Sequence, residues 1–370
     1  MCRIGALKSK RYMHPSVALK LMRSQQKGHD NSGFAFVMQN LGGVFEHYKD
    51  FPILSMACTD EGMHIAEKIL HNIGFIRVMQ WAPDMKIEEA HKLNIEPMPN
   101  YVFEVFNYPK TYKYATKEEK EELLLNTRLK LRKALSESDE GYVYSFWPDT
   151  LMLKEIGDPK DIGTYFGLWE ENKDFTAKII TAQCRQNTNY DIVRYAAHPF
   201  FLQGYCALVN GENTFYEKNK LFQRKLHKGY IGFESDSQCF LYTLHYVNKV
   251  LKWPLKYFKH VITPLPYDEM TKREDAKVLS RIKSSLAHLE INGPNTVIAV
   301  TPDGTMFTTC DSKKLRPIVI GSTDDTVVVT SEVTGINEIL PERNINNDIY
   351  PNEREMVVIN NDLKVERWQQ

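Results

Sequence analysis

The chain alternates short apolar runs with polar turns, and the spacing of its apolar positions shifts from segment to segment. Cys2 to Leu7 predicts a short apolar strand. His14 to about Gln26 predicts a helix with Pro15 in its first turn and Val17, Leu21 and Met22 on one face. The Gly-rich turn Lys27 to Gly33 leads into the apolar run Phe34 to Met38, which reads as a strand. Thr59 can cap a helix whose first turn carries Asp60 and Glu61, where negative charge is favourable. Thr116 and Glu119 form a capping box that opens a long charged helix to about Leu135, most simply a solvated surface element. Strand signals return at Tyr142–Phe146, Ile179–Gln183 and Tyr205–Val209. After Ser235-Asp236-Ser237 the apolar residues Phe240, Leu244, Val247 and Leu251 take helical spacing. Towards the C-terminus, Thr296–Val300, Met306–Thr309, Arg316–Ile320, Thr326–Thr330 and Glu355–Ile359 read as strands, with Pro302-Asp303-Gly304 as a turn. No repeat, low-complexity tract or linker divides the chain. Mixed strands and helices without regular βαβ alternation predict an α+β or sandwiched-layer fold.

Composition narrows the function classes. Across 370 residues, 47 basic and 47 acidic side chains cancel, so nucleic acid and anionic lipid are not expected partners. No apolar run reaches the ~18 residues a membrane span needs. The start MCRIGALKSK has no apolar h-region, which predicts a soluble cytoplasmic chain. Six cysteines without a C-x-x-C pair and eleven histidines without H-E-x-x-H spacing predict no metal site, and no dinucleotide or P-loop signature occurs.

Chemistry enters at Cys2. Removal of Met1 would leave a thiol and a free α-amine on one residue. An α-amine titrating near ~7.7–8 can take the thiol proton, directly or through water. A cysteine at position two is also simply the start of a strand. Further on, TAQCRQNTN, AAHPF, CALVNGEN and FESDSQCF follow in order. A lone arginine such as Arg185 is by itself a surface charge, and Asn210-Gly211 by itself makes a hairpin turn. Ser235 or Asp236 can cap the helix that follows.

Taken in order, Cys2, the turn Gly28-x-Asp30-x-x-Gly33, Arg185, His198-Pro199-Phe200, Asn210-Gly211 and Asp236 resemble the class II, N-terminal-nucleophile glutamine amidotransferases. The C-terminal stretch Asp303-Gly304, Asp311, Leu315-Arg316-Pro317, Thr323, Asp325 and Ser331-Glu332-Val333 resembles the end of that domain in glutamate synthase and phosphoribosyl-pyrophosphate amidotransferase. The run Tyr142 to Leu168 resembles the glutamate synthase version. Departures stand at Lys27, Gln186, Val209 and Ser312–Lys314.

The resemblance covers Cys2 to about Val358. It implies a four-layer α/β/β/α sandwich of the N-terminal-nucleophile type, as one glutamine amidotransferase domain over 2–370 elaborated by insertions at roughly 95–175. It also implies catalytic roles for Cys2, Asn210 and Gly211, and puts Arg185 and Asp236 on the substrate's α-carboxylate and α-amine. His29 lies near the substrate, His198 orders its loop, and the C-terminal stretch is architectural. The implied reaction is hydrolysis of L-glutamine to glutamate and ammonia through a Cys2 thioester. Ammonia would pass to a separate glutamate-synthase-like subunit, with FMN and iron–sulfur groups expected only in that partner and no cofactor in this chain. The alternatives are the equivalent subunit of an N-methylglutamate synthase-type complex, or a catalytically weakened regulatory or scaffolding subunit.

Overall fold

The computed structural model of the chain describes residues 2–25, 30–96, 98–187, 192–226, 230 and 232–368. Its strands form three antiparallel sheets. The first runs β13 (Val319–Ser322), β14 (Thr326–Thr330), β1 (Arg3–Met13), β8 (Ala177–Cys184), β2 (Phe34–Leu41), β7 (Thr150–Glu155). The second runs β16 (Val365–Trp368), β15 (Met356–Ile359), β12 (Met306–Cys310), β11 (Asn295–Val300), β10 (Tyr205–Gly211), β9 (Phe200–Leu202). Strands β1 and β8 of the first sheet touch β10 of the second, and the inward faces of both contribute to one continuous core. Burial on both faces explains why β10 reads as an unbroken apolar run, Tyr205 to Val209, rather than an alternating one.

Helices cover the outer faces. On the first sheet lie α1 (Ser16–Ser24) and α10 (Val333–Ile339), with α4 (Pro159–Tyr165) packed against α1. Gly5 on β1 lets α1 approach, since a Cβ there would stand 2.5 Å from Leu21 Cδ2. Against β9 and β10 of the second sheet packs α6 (Gln238–His245), flanked by α5 (Tyr216–Leu226) and α7 (Lys256–Ile262), with α8 (Tyr267–Met270) and α9 (Ala276–Ser285) beyond.

A third sheet, β4 (Ile76–Trp81), β5 (Asn100–Asn107), β3 (Pro52–Cys58), β6 (Gly141–Pro148), falls between β2 and β7 in sequence. It carries α2 (Asp60–Ile73) and α3 (Lys117–Ser138). The Thr59 cap forms, its Oγ1 accepting the Gly62 N–H at 3.0 Å, and the Thr116–Glu119 capping box forms on α3. The expectation that α3 is a solvated surface element is wrong. It buries Leu124, Leu131 and Leu135 in a second core with Leu54, Phe106 and Phe146, and it also buries Arg128. Each leucine lost there costs about 2–5 kcal/mol. Most of the charged residues that dominate its sequence are exposed, and they masked this stripe. The strand expected at Arg316–Ile320 starts only at Val319, because Pro317 lacks the N–H a ladder needs. No helix among the described residues is long and apolar enough to cross a membrane.

Candidate active site

Strand pairing assembles the site. In the antiparallel pair β1–β8, Arg3 stands opposite Cys184, so Cys2, just before β1, lies beside Arg185, just after β8. The last two residues of β10 are Asn210 and Gly211, opposite Thr296 and Asn295 of β11. A cavity of about 130 Å³ opens where these strand ends meet, and Cys2, Arg185, Gly211 and Asp236 line it together with Gln186, Asn187, His198, Asn213 and Ser235.

Cys2 is half-buried, whereas the other five cysteines are buried. Its Sγ accepts the Gln186 N–H at 3.3 Å and lies 3.6 Å from the Gln186 carbonyl. Burial pushes the thiol up, opposed by that N–H and by the Arg185 charge. Arg185 is buried and its Nη2 donates to Asn187 Oδ1 at 2.8 Å. Burial lowers its pKa, with the Cys2, Asp30 and Asp236 charges opposing. Its backbone N–H donates to the Gly33 carbonyl at 2.7 Å. The Asp30 carboxylate accepts the Ser32 N–H and the Asn187 N–H, each at 3.0 Å, tying the turn to this loop.

Asn210 is 2% exposed, and its Oδ1 has no partner among the described residues. Gly211 sits at φ 157°, and a Cβ there would lie 2.1 Å from the Pro294 carbonyl oxygen. This close approach requires glycine. Behind it, Asp311 is buried and accepts the Asn295, Lys313 and Leu315 N–H groups at 2.9, 2.8 and 3.1 Å. That organises the C-terminal stretch without bringing Asp311 into the cavity lining.

Asp236 is buried, with Oδ2 accepting the Asn213 N–H at 2.7 Å and Oδ1 accepting from the Ser235 and Ser237 hydroxyls, each at 3.3 Å. No cation among the described residues forms an ion pair with it. Burial pushes its pKa up, against those donors. The helix-cap reading of this residue does not describe the geometry, because the N-cap of α6 is Ser237 and makes no side-chain cap bond.

His29 and its neighbours Lys27 and Gly28 lie outside the described residues. Among the described residues no cluster of His, Cys, Asp or Glu could hold a metal ion. Sequence reasoning missed Asn213, Ser235 and the Gln186 backbone, which act through backbone or short hydroxyl groups that leave no distinctive spacing. It also missed the basic groups around the segment 194–201. Lys154 Nζ donates to the Tyr195 and Ala197 carbonyls at 3.0 and 2.5 Å. Arg128 donates to the Phe201 and Tyr144 carbonyls at 2.7 and 2.6 Å. Arg132 pairs with Glu234 and stacks 4.1 Å over Tyr195.

No family model matches the sequence. An uncharacterized protein of Archaeoglobus fulgidus is 25% identical over 308 residues, which are 81% of this chain and 77% of that protein. Among solved structures, glutamine phosphoribosylpyrophosphate amidotransferase from B. subtilis, complexed with ADP and GMP, is similar at 14% identity and a TM-score of 0.47 over 99% of this chain. An allosteric regulatory enzyme of purine biosynthesis is similar at 14% identity and 0.49 over 99%. A glutamine aminotransferase class-II domain protein from Silicibacter pomeroyi is similar at 11% identity and 0.35, covering 59% of this chain and 83% of that one. The chain spans about half the length of the first two solved structures, 49% of each.

Proposed function

We propose that this chain is a glutaminase of the N-terminal-nucleophile class, with the layered helices and sheets forming its four-layer α/β/β/α sandwich within one domain. The observation that carries the reading is one cavity lined by a thiol, a guanidinium, a glycine N–H and a buried carboxylate without a cation partner among the described residues. A carboxylate kept from water and met only by neutral donors gains most from a ligand that brings a positive charge. A guanidinium beside it suits a carboxylate on the same ligand. A free α-amino acid carries both, and an amide side chain gives the thiol an electrophile.

In this reading Cys2 Sγ attacks the glutamine carboxamide carbon. The tetrahedral oxyanion is stabilised by Gly211 N–H and the Asn210 side-chain amide. The Cys2 α-amine, exposed once Met1 is removed, takes the thiol proton and returns it to the departing ammonia. Water then adds to the thioester carbonyl, the C–S bond breaks, glutamate leaves and the thiol regains its proton. The Gln186 N–H, already on Sγ, supports the thiolate between these steps. Ammonia passes to a separate cytoplasmic subunit of the glutamate synthase type, or to its N-methylglutamate synthase equivalent.

The test is release of glutamate and ammonia from glutamine by the purified chain, with Cys2→Ala as control and the intact mass reporting Met1. Turnover that depends on Cys2 supports the reading. A processed chain with no turnover, alone or with its copurifying partner, leaves the scaffolding role instead.

A further inference from the structure

Gln183 and His198 join the two halves of the cavity wall. Gln183 is on β8, two residues before Arg185, and is fully buried. Its side chain crosses between the facing sheets. Oε1 accepts the His198 N–H at 2.7 Å, and Nε2 donates to the Val209 carbonyl at 3.1 Å. Val209 immediately precedes Asn210, so this amide reaches the strand end that carries the oxyanion donors.

His198 continues the connection. The Val209 N–H donates to Nδ1 at 3.3 Å, which makes Nδ1 an acceptor and assigns the imidazole proton to Nε2. Nε2 faces Ser235 Oγ at 3.4 Å, and that hydroxyl lies 3.3 Å from Asp236 Oδ1. Burial, with the Arg185 and Lys154 charges, keeps the ring neutral. His198 borders the cavity, yet both ring nitrogens are engaged by protein groups, so neither is left to act as a base.

We infer that Gln183 and His198 are positioning residues that hold Arg185, Asn210-Gly211 and Asp236 in one mutual geometry, so that recognition of the amino-acid ends and stabilisation of the oxyanion are set together. The inference rests on the glutamine reading of the cavity. Its physical basis is that these bonds are buried. Removing the Gln183 side chain orphans the His198 backbone N–H and the Val209 carbonyl, and removing the His198 ring orphans the Val209 N–H and releases the Ser235 hydroxyl from the ring, so the strand ends must shift to find partners. A displacement of about 1 Å at a reacting group costs on the order of a hundredfold in rate. The thiol is held by the Gln186 backbone N–H rather than by either of these side chains, and iodoacetamide uses none of the recognition groups, so its reaction with the thiol should hold.

The experiment compares Cys2 modification by a glutamine-like diazo-ketone, which needs the recognition groups, with modification by iodoacetamide, which needs only the thiol. The full chain is used as wild type, Gln183→Met, His198→Phe and His198→Gln, with a thermal unfolding midpoint for each. The diazo-ketone rate should fall about ten- to a hundredfold in Gln183→Met and His198→Phe while the iodoacetamide rate holds. His198→Gln, whose amide can accept from Val209 and donate to Ser235, should recover most of the loss. A wild-type diazo-ketone rate in a folded His198→Phe overturns the inference. So does equal slowing of both reagents in the Phe and Met variants, or failure of His198→Gln to recover. A wild-type chain that shows no preference for the diazo-ketone, and no protection by glutamine, overturns the glutamine reading itself and this inference with it.

Discussion

Asp236→Asn should weaken glutamine use while leaving the empty protein as stable or more so. The carboxylate is buried and its partners are all neutral: the Asn213 N–H at 2.7 Å and two hydroxyls at 3.3 Å. Asparagine keeps the shape. Its oxygen can still accept from Asn213, and its NH₂ can donate to the serine hydroxyls, which rotate to accept. What disappears is the charge that a ligand ammonium would meet, a bond worth ~1.5–3 kcal/mol. At about 1.4 kcal/mol per decade, kcat/KM for glutamine should fall roughly ten- to a hundredfold. The stability sign runs the other way. Burial raises the folded-state pKa of this carboxyl above its unfolded value. The ionised form therefore costs stability above the folded pKa, and the cost is relieved as pH falls through that pKa. Asparagine removes the cost at pH 7. Steady-state glutaminase kinetics and thermal melts with and without glutamine check both halves. An unchanged kcat/KM removes Asp236 from the ligand. A lower melting midpoint alongside lost activity would make the carboxylate a structural group, contrary to the argument.

A glutamine-like diazo-ketone should label Cys2 alone, since Cys58, Cys206 and Cys310 are buried and pushed up to about 12, and burial also raises Cys184 and Cys239. Peptide mapping that finds label on Cys184 or Cys239 would sink the mechanism. Asn210→Ala should lower kcat about 10²–10³-fold with a smaller change in KM, as loss of an oxyanion donor does. Equal loss in binding alone would assign Asn210 elsewhere. Gly211→Ala should cost both folding stability and activity, because its Cβ meets the Pro294 carbonyl at 2.1 Å; a wild-type melt would refute that geometry. Burial and the neighbouring Lys259 and Arg273 charges lower His260 to about 4, so its neutral form is part of the fold. Its contribution is intact above the unfolded value near ~6.5 and is lost as pH falls from there towards 4. His260→Gln should flatten the acid limb of a stability–pH curve over that window.

The legible parts of this fold were those governed by local rules. The Thr59 and Thr116 caps need only neighbouring residues, and β10, β11, β12 and β14 announce themselves as short apolar runs between turns. The strand-end positions of Arg185 and Asn210-Gly211 follow from those runs. What the sequence hid depends on distant partners. The apolar stripe of α3 is diluted by exposed lysines and glutamates, and β3, β4 and β5 become a sheet only by pairing with one another. Gln183 looks like any polar residue in a strand until its amide is seen bridging two sheets. Asp236 is the intermediate case, since the Ser-Asp-Ser pattern suggests a cap and only burial without a cation partner among the described residues separates the two roles.

The third sheet leaves and rejoins the main body at almost one point. Gln39 of β2 stands directly across from Thr150 of β7, and the Leu41 N–H donates to the Asp149 carboxylate at 2.7 Å. A tight hairpin could therefore replace everything from residue 42 to residue 149 without altering the strand order of the first sheet. By connectivity this module is an oversized loop, the kind of position at which a fold acquires new material while its scaffold stays intact. By charge it is not removable. Excision would withdraw Arg128 from the Phe201 carbonyl and Arg132 from Glu234, two residues before Asp236, and would leave the half-buried Glu234 carboxylate without its cation. A segment that began as an ornament on a hairpin would thereby have become a condition for the shape of the pocket, and a shortened homologue would need to have solved the Glu234 and Tyr195 positions some other way.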